Sequence, residues 1–125
     1  MRKNLHRGKK MHDGTWVEGN FVQDHYALIV TPGCVLPMIY NAVDPNTVGQ
    51  YVGRDDQDGC PIFEKDIVVS RANIPMEVFF DEESCAYAVR YWIDGVEYQN
   101  SLCSTECSLR VIGNTVDNPE LLKEE

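Results

Sequence analysis

No part of this sequence stays apolar for long. The longest uninterrupted run is Ala27-Leu28-Ile29-Val30, far short of the ~18 residues a membrane-crossing helix needs. No segment sustains a 3.6-residue apolar period over three turns, so long amphipathic helices are not expected. The opening Met1-Arg2-Lys3-Asn4-Leu5-His6-Arg7 has no apolar stretch behind its charges, unlike a secretory signal. No repeat at solenoid spacing is present. The three histidines, His6, His12 and His25, all lie near the N-terminus, and no nucleophile elbow frames a serine. The Gly49–Gly53 segment lacks the Lys-Ser/Thr pair of a phosphate-cradling loop.

What is present in excess is acid. The 125 residues carry a formal net charge of −9. Arg2, Lys3, Arg7, Lys9 and Lys10 precede every acidic residue, which leaves a body of net −14. Such a surface repels phosphate backbones, so no direct nucleic-acid binding is expected, and it suits a basic protein partner. The same charge also serves solubility. The basic N-terminal segment is expected to lie against acidic surface, its own or that of a second copy. Five cysteines, Cys34, Cys60, Cys85, Cys103 and Cys107, make an odd number that fits reduced thiols in a cytosol. Cys103 and Cys107 supply two of the four ligands of a structural zinc site, which only a tertiary accident with Cys85 and His25 would complete. Cys60 and Cys85 are expected as small buried apolar residues. Asp55, Asp56 and Asp58 offer oxygen ligands but miss the EF-hand pattern. Twelve positions on from Asp55 stands Asp66, with no flanking helix, so a solvated turn is expected.

The punctuation is that of a β protein. Asp13-Gly14 predicts a hairpin between Lys9–His12 and Thr15–Val22, with Gly19 marking a bulge. Tyr26–Val30, Gln50–Gly53, Ile67–Ser70, Val78–Phe80, Cys85–Tyr91, Val96–Gln99 and Leu109–Ile112 read as strands. Asp81–Ser84 and Asp94-Gly95 are the turns between them. Asp44 caps a short helical turn that opens at Pro45 and ends at Gly49. A second capped turn runs Asn118-Pro119-Glu120-Leu121-Leu122. Asp66 is expected to bond nearby backbone N–H groups. Trp16, Tyr51, Ile67, Val68, Val111 and Ile112 are the candidate core. Tyr26, Tyr87, Tyr91, Trp92 and Tyr98 are aromatics that alternation could place on an exposed face.

Three motifs make the sequence specific. They are Val43-Asp44-Pro45-Asn46-Thr47-Val48-Gly49-Gln50-Tyr51-Val52-Gly53, then Ile62-Phe63-Glu64-Lys65-Asp66-Ile67-Val68, then Val111-Ile112-Gly113-Asn114 running to Asn118-Pro119-Glu120-Leu121-Leu122. In order and over nearly the whole chain, they resemble the YopX family of phage and prophage proteins. Lys65 departs from the family's Gly before Asp66, and Cys60-Pro61 from a polar pair. Arg71–Ser108 matches no motif. The resemblance implies a β-rich phage protein of the bacterial host's cytoplasm, with an N-terminal β unit before a small Src-homology-type barrel. It brings no established activity.

The sequence therefore predicts a mostly β protein. Residues 1–53 form an N-terminal β-hairpin subdomain and 54–125 a small barrel-like one, together one compact unit with one or two short helical turns. Asp44, Pro45, Gly49, Tyr51, Gly53, Asp66, Gly113, Asn118 and Pro119 are its structural motif residues. No catalytic, cofactor or metal residue is singled out. The leading expectation is a non-enzymatic, acidic protein-binding module acting on a host or phage protein, with no membrane association. Two alternatives stand beside it: a metal-dependent or thiol enzyme using Asp55, Asp56 and Asp58 or Cys103 and Cys107, and a structural homo-oligomer.

Overall fold

A computed structural model of the chain describes residues 5–23, 26–31, 39–102 and 108–122. The expectations about Arg2, Lys3, His25, Cys34, Cys103 and Cys107 lie outside the described residues. The chain is mostly β and divides into two units, Met1–Tyr51 and Val52–Glu125.

In the first unit, β1 (His6–Lys9), β2 (Trp16–Gln23), β3 (Ala27–Thr31) and β4 (Ile39–Ala42) pair antiparallel in the order β4-β3-β2-β1. The start of β5 (Gly49–Asp55) adds to β1 through His6↔Gln50 and Arg7↔Gly49. Ala27, Ile29 and Val43 form the buried centre, with Val17, Phe21 and Val48 packed on it. Val17, Gly19 and Phe21 alternate onto this face without interruption. Gly19 pairs in regular register with His6, so the expected bulge is absent. The apparent irregularity has another cause: β2 pairs with β1 over Trp16–Gly19 and with β3 over Asn20–Gln23. The chain leaves the first hairpin's strand earlier than a two-residue turn at Asp13-Gly14 would have it. Lys10 N–H donates to the Thr15 carbonyl, closing a four-residue loop in which Gly14 takes φ +72°. The Arg7 and Lys9 charges lie 4.8 and 5.9 Å from the centre of the Trp16 ring, a cation–π arrangement.

In the second unit, β6 (Pro61–Phe63) adjoins the end of β5. A second sheet runs β10 (Val96–Ser101), β9 (Ala86–Ile93), β8 (Met76–Asp81), β7 (Asp66–Val69), β11 (Arg110–Asn114). Its core holds Val52, Ile62, Val68, Met76, Val78, Val89, Leu102 and Leu109. This sheet is open: among the described residues β10 and β11 are edges, and the expected barrel does not close. The physical reason lies in β10, which is exposed at all six positions and so is not drawn back over the core.

Of the candidate core, Ile67 and Val68 are fully buried, Trp16, Tyr51 and Val111 are half-buried, and Ile112 is 36% exposed. Val111 pairs with Val68 and Gly113 with Ile67, so Ile112 is the extra residue of a bulge and is turned out of the core. Cys60 and Cys85 are exposed, contrary to expectation. Cys85 closes the β8–β9 loop in the left-handed region, φ +53°, where its side chain cannot enter the sheet face. Among the described residues no helix is long and apolar enough to cross a membrane; the helical content is two 3₁₀ turns, Pro45–Thr47 and Pro119–Leu122.

Ile67→Ala should cost about 2–5 kcal/mol by removing packed volume from β7. Chemical denaturation measures it, and a change near zero would mean that β7 is not the packed centre. Lys65, where the resemblance noted above implies glycine, takes φ +74°. Lys65→Gly should therefore raise stability by up to ~1 kcal/mol through relief of left-handed strain.

Candidate functional site

Several of the motif residues hold or shape the backbone. The Asp44 carboxylate accepts the Asn46 N–H at 3.0 Å and so caps the turn that Pro45 opens. Gly49 does not end that turn. Val48 does, and Gly49 is buried as the first residue of β5. Thr47, within the same motif, ties the turn to the sheet. Its hydroxyl donates to the Asp44 carbonyl at 2.6 Å and accepts the Lys9 N–H at 2.9 Å. Tyr51 donates its N–H to the Leu5 carbonyl, and Gly53 takes φ +89°, open only to glycine without strain.

Asp66 is buried, and its carboxylate accepts the Phe63 N–H at 2.8 Å across the Glu64-Lys65 turn. Gly113 is required by close approach: a Cβ there would stand 2.7 Å from Asn118 Oδ1 and 3.0 Å from Leu121 Cδ1. The same Asn118 oxygen accepts the Asn114 N–H, and Pro119 opens the final 3₁₀ turn.

The acidic loop behaves alike. Asp56 is buried, and its carboxylate accepts the N–H groups of Asp58 (2.9 Å), Cys60 (2.9 Å) and Val111 (3.1 Å). Burial pushes this carboxyl up, but the three backbone donors, with Arg110 nearby, outweigh it and hold the group below its ordinary value. Asp55 and Asp58 are exposed. Among the described residues no three His, Cys, Asp or Glu side chains converge on a point that could hold a metal ion. A polar cleft of about 300 Å³ carries Arg71 and Arg110 with Gln57, Ser70, Asn73 and Ser108. Among the described residues neither a histidine nor a carboxylate lines it, so these walls hold no acid–base pair.

One feature that the fold does not consume is a surface on β9 and β10. Tyr87, Val89, Tyr91 and Ile93 share the core face of β9, and Val96 and Tyr98 continue it onto β10 through the pairs Ile93↔Val96 and Tyr91↔Tyr98. Tyr91 packs on the core, and Tyr98 stacks on Tyr91 at 5.6 Å between ring centres. Beyond this stack the face is open: Ile93 is 41%, Val96 52% and Tyr98 45% exposed. Asp94 and Gly95 both take positive φ, the two-residue turn expected from their sequence, and this sets the register. Trp92 is half-buried on the opposite face, and Tyr26 is exposed in the first unit. Of the five aromatics singled out from the sequence, Tyr91 and Tyr98 are thus brought together.

Two outcomes follow from the anchors. Asp56→Asn should destabilise by about 1–3 kcal/mol near neutral pH, since it removes an ionised acceptor from buried N–H groups. Because folding lowers the carboxyl's pKa, its contribution is complete above the unfolded value near 4 and is lost as pH falls through the folded value. The gap between wild type and variant in urea titrations should therefore narrow on acidification from pH 6. A gap that stays constant would show that ionised Asp56 is not the anchor. Asp44→Ala should cost about 0.5–2 kcal/mol in the same assay, the loss of one cap.

No curated protein matches the chain. A family model described as YopX protein matches residues 6–123, a span that contains the capped turn at Asp44, the Asp66 hairpin and the Gly113–Asn118 contact. The chain belongs to the YopX family.

Proposed function

We propose that this YopX protein is a non-enzymatic, phage-encoded binding module that engages a host or phage protein in the bacterial cytoplasm through the Ile93–Val96–Tyr98 surface. The observation that carries the reading is the stacked Tyr91–Tyr98 pair, which leads from a packed core to an open apolar face. Aromatic side chains that are rigidly backed and still accessible are what protein interfaces use as anchors. Asp56, the buried member of the acidic loop, and Asp66 are instead bonded to backbone.

Affinity capture from lysate of the lysogenic host, run in parallel with wild type and the V96S/Y98S double variant, tests the reading. Because Val96 and Tyr98 stand at the open end of this face, 52% and 45% exposed, the variant should still fold, at a cost of about 0.5–3 kcal/mol. It should lose a partner that wild type retains. Identical captured sets from the two proteins would remove this surface as the binding site.

A further inference from the structure

We propose that the free edge of β10 receives an extended, basic segment of a partner protein as an added β-strand. This rests on the protein-binding reading above and names the chemistry of the partner.

The register decides which backbone groups are free. Ile93 and Val96 flank a two-residue turn, so they form a bonded pair that exchanges both N–H···O contacts. Alternation then makes Tyr91↔Tyr98 and Val89↔Asn100 bonded pairs as well. It turns the N–H and C=O of Glu97 and Gln99 away from β9. No bond to these four groups occurs among the described residues.

The opposite edge of the same sheet is treated differently. On β11 the Val111 N–H goes to Asp56, and the preceding Leu109 carbonyl accepts the Gln57 N–H, so the acidic loop covers that edge. On β10 there is neither proline nor bulge, and all six residues are exposed. Proteins ordinarily blunt such an edge, and one left open is a template for strand addition.

The side chains say what the strand must carry. A strand laid along β10 places alternate residues beside Val96 and Tyr98 on one face and beside Glu97 and Gln99 on the other. Met76–Ser101 contains six acidic residues and one basic residue, Arg90. That one is tied to Glu77 by two bonds, 2.9 and 3.2 Å long. The complementary segment alternates apolar residues with Lys or Arg. A second copy fits poorly, because like edges would bring Glu97 toward Glu97 between chains of net −9 each. Nor does the chain's own His6–Lys9 serve, since that strand is already paired on both sides.

The probe is an acetylated nine-residue peptide alternating valine and lysine, titrated by fluorescence anisotropy against the full chain. A second peptide of the same sequence carries N-methyl groups on alternate residues, which removes its ladder donors. Gln99→Pro deletes an outward N–H while leaving the β9 pairs intact, as proline is tolerated on an edge. Wild type should bind the first peptide and not the second. Gln99→Pro should weaken binding at least about tenfold, and Glu97→Lys should weaken it and flatten its salt dependence. Unchanged binding by folded Gln99→Pro, or equal binding of the two peptides, overturns strand addition. If Gln99→Pro does not fold, the methylated peptide decides alone. Failure of wild type to bind either peptide also overturns the proposal, whereas partner loss by V96S/Y98S in the capture experiment would still sustain the surface itself. Self-association that Gln99→Pro abolishes, seen by sedimentation without peptide, would assign the edge to a second copy and overturn the basic partner.

Discussion

The second unit depends on β7 being buried along its whole length. All four residues from Asp66 to Val69 are withdrawn from solvent, with Ile67 and Val68 at zero exposure. A strand buried on both faces gains apolar contact from every residue, about 1.5–3 kcal/mol for each large side chain removed from water. The cost is that its polar groups must be satisfied without water. Asp66 shows the solution. Its carboxylate is spent on the Phe63 N–H, which shapes the turn leading into β7, and the antiparallel partners β8 and β11 take up the strand's backbone.

Seen from that strand, the acidic side chains divide into two kinds. Asp44, Asp56 and Asp66 aim inward at backbone N–H groups, as covalently attached caps. Asp55, Asp58, Asp94 and Glu97 are exposed and carry part of the negative surface charge. An aspartate bonded to three N–H groups has little capacity left for metal or substrate. Asp56, the middle member of the triplet that invites a metal reading, illustrates this most clearly.

The motifs that carry the family resemblance sit where the backbone is demanding: a capped turn, a left-handed corner at Lys65, a glycine pressed against Asn118. Arg71–Ser108, which carries no such motif, supplies β8, β9 and β10 and with them the open apolar face. Met76, Val78, Val89 and Leu102 of the same stretch also enter the core, so it is the motif-bearing corners and the exposed surface that come from different parts of the chain. The anchors tolerate little change because each answers a steric or hydrogen-bonding requirement. The exposed face is free to vary because few contacts within the protein constrain it.

By itself the sequence determined the class of structure and its local punctuation. Asp94-Gly95 demands a two-residue turn because both positions favour positive φ, and Tyr87-Val89-Tyr91 alternate because strands have a period of two. Asp44 announces a capped turn through a bond two residues away, and Asn118-Pro119 a 3₁₀ turn, although the Asn118 side chain reaches back to the Asn114 N–H and does not cap that turn. Other outcomes were decided only when distant segments met. Ile112 is turned outward because β11 gains a residue on β7, and Gly19 stays regular because β2 changes partners midway. Cys60 and Cys85 are exposed because turns, not polarity, place them. Asp56 became an anchor because Val111, 55 positions away, brings its N–H to the loop. The open β10 edge likewise belongs to the tertiary structure. Alternation within one strand cannot tell a central strand from a terminal one; that depends on how many neighbours the sheet recruits.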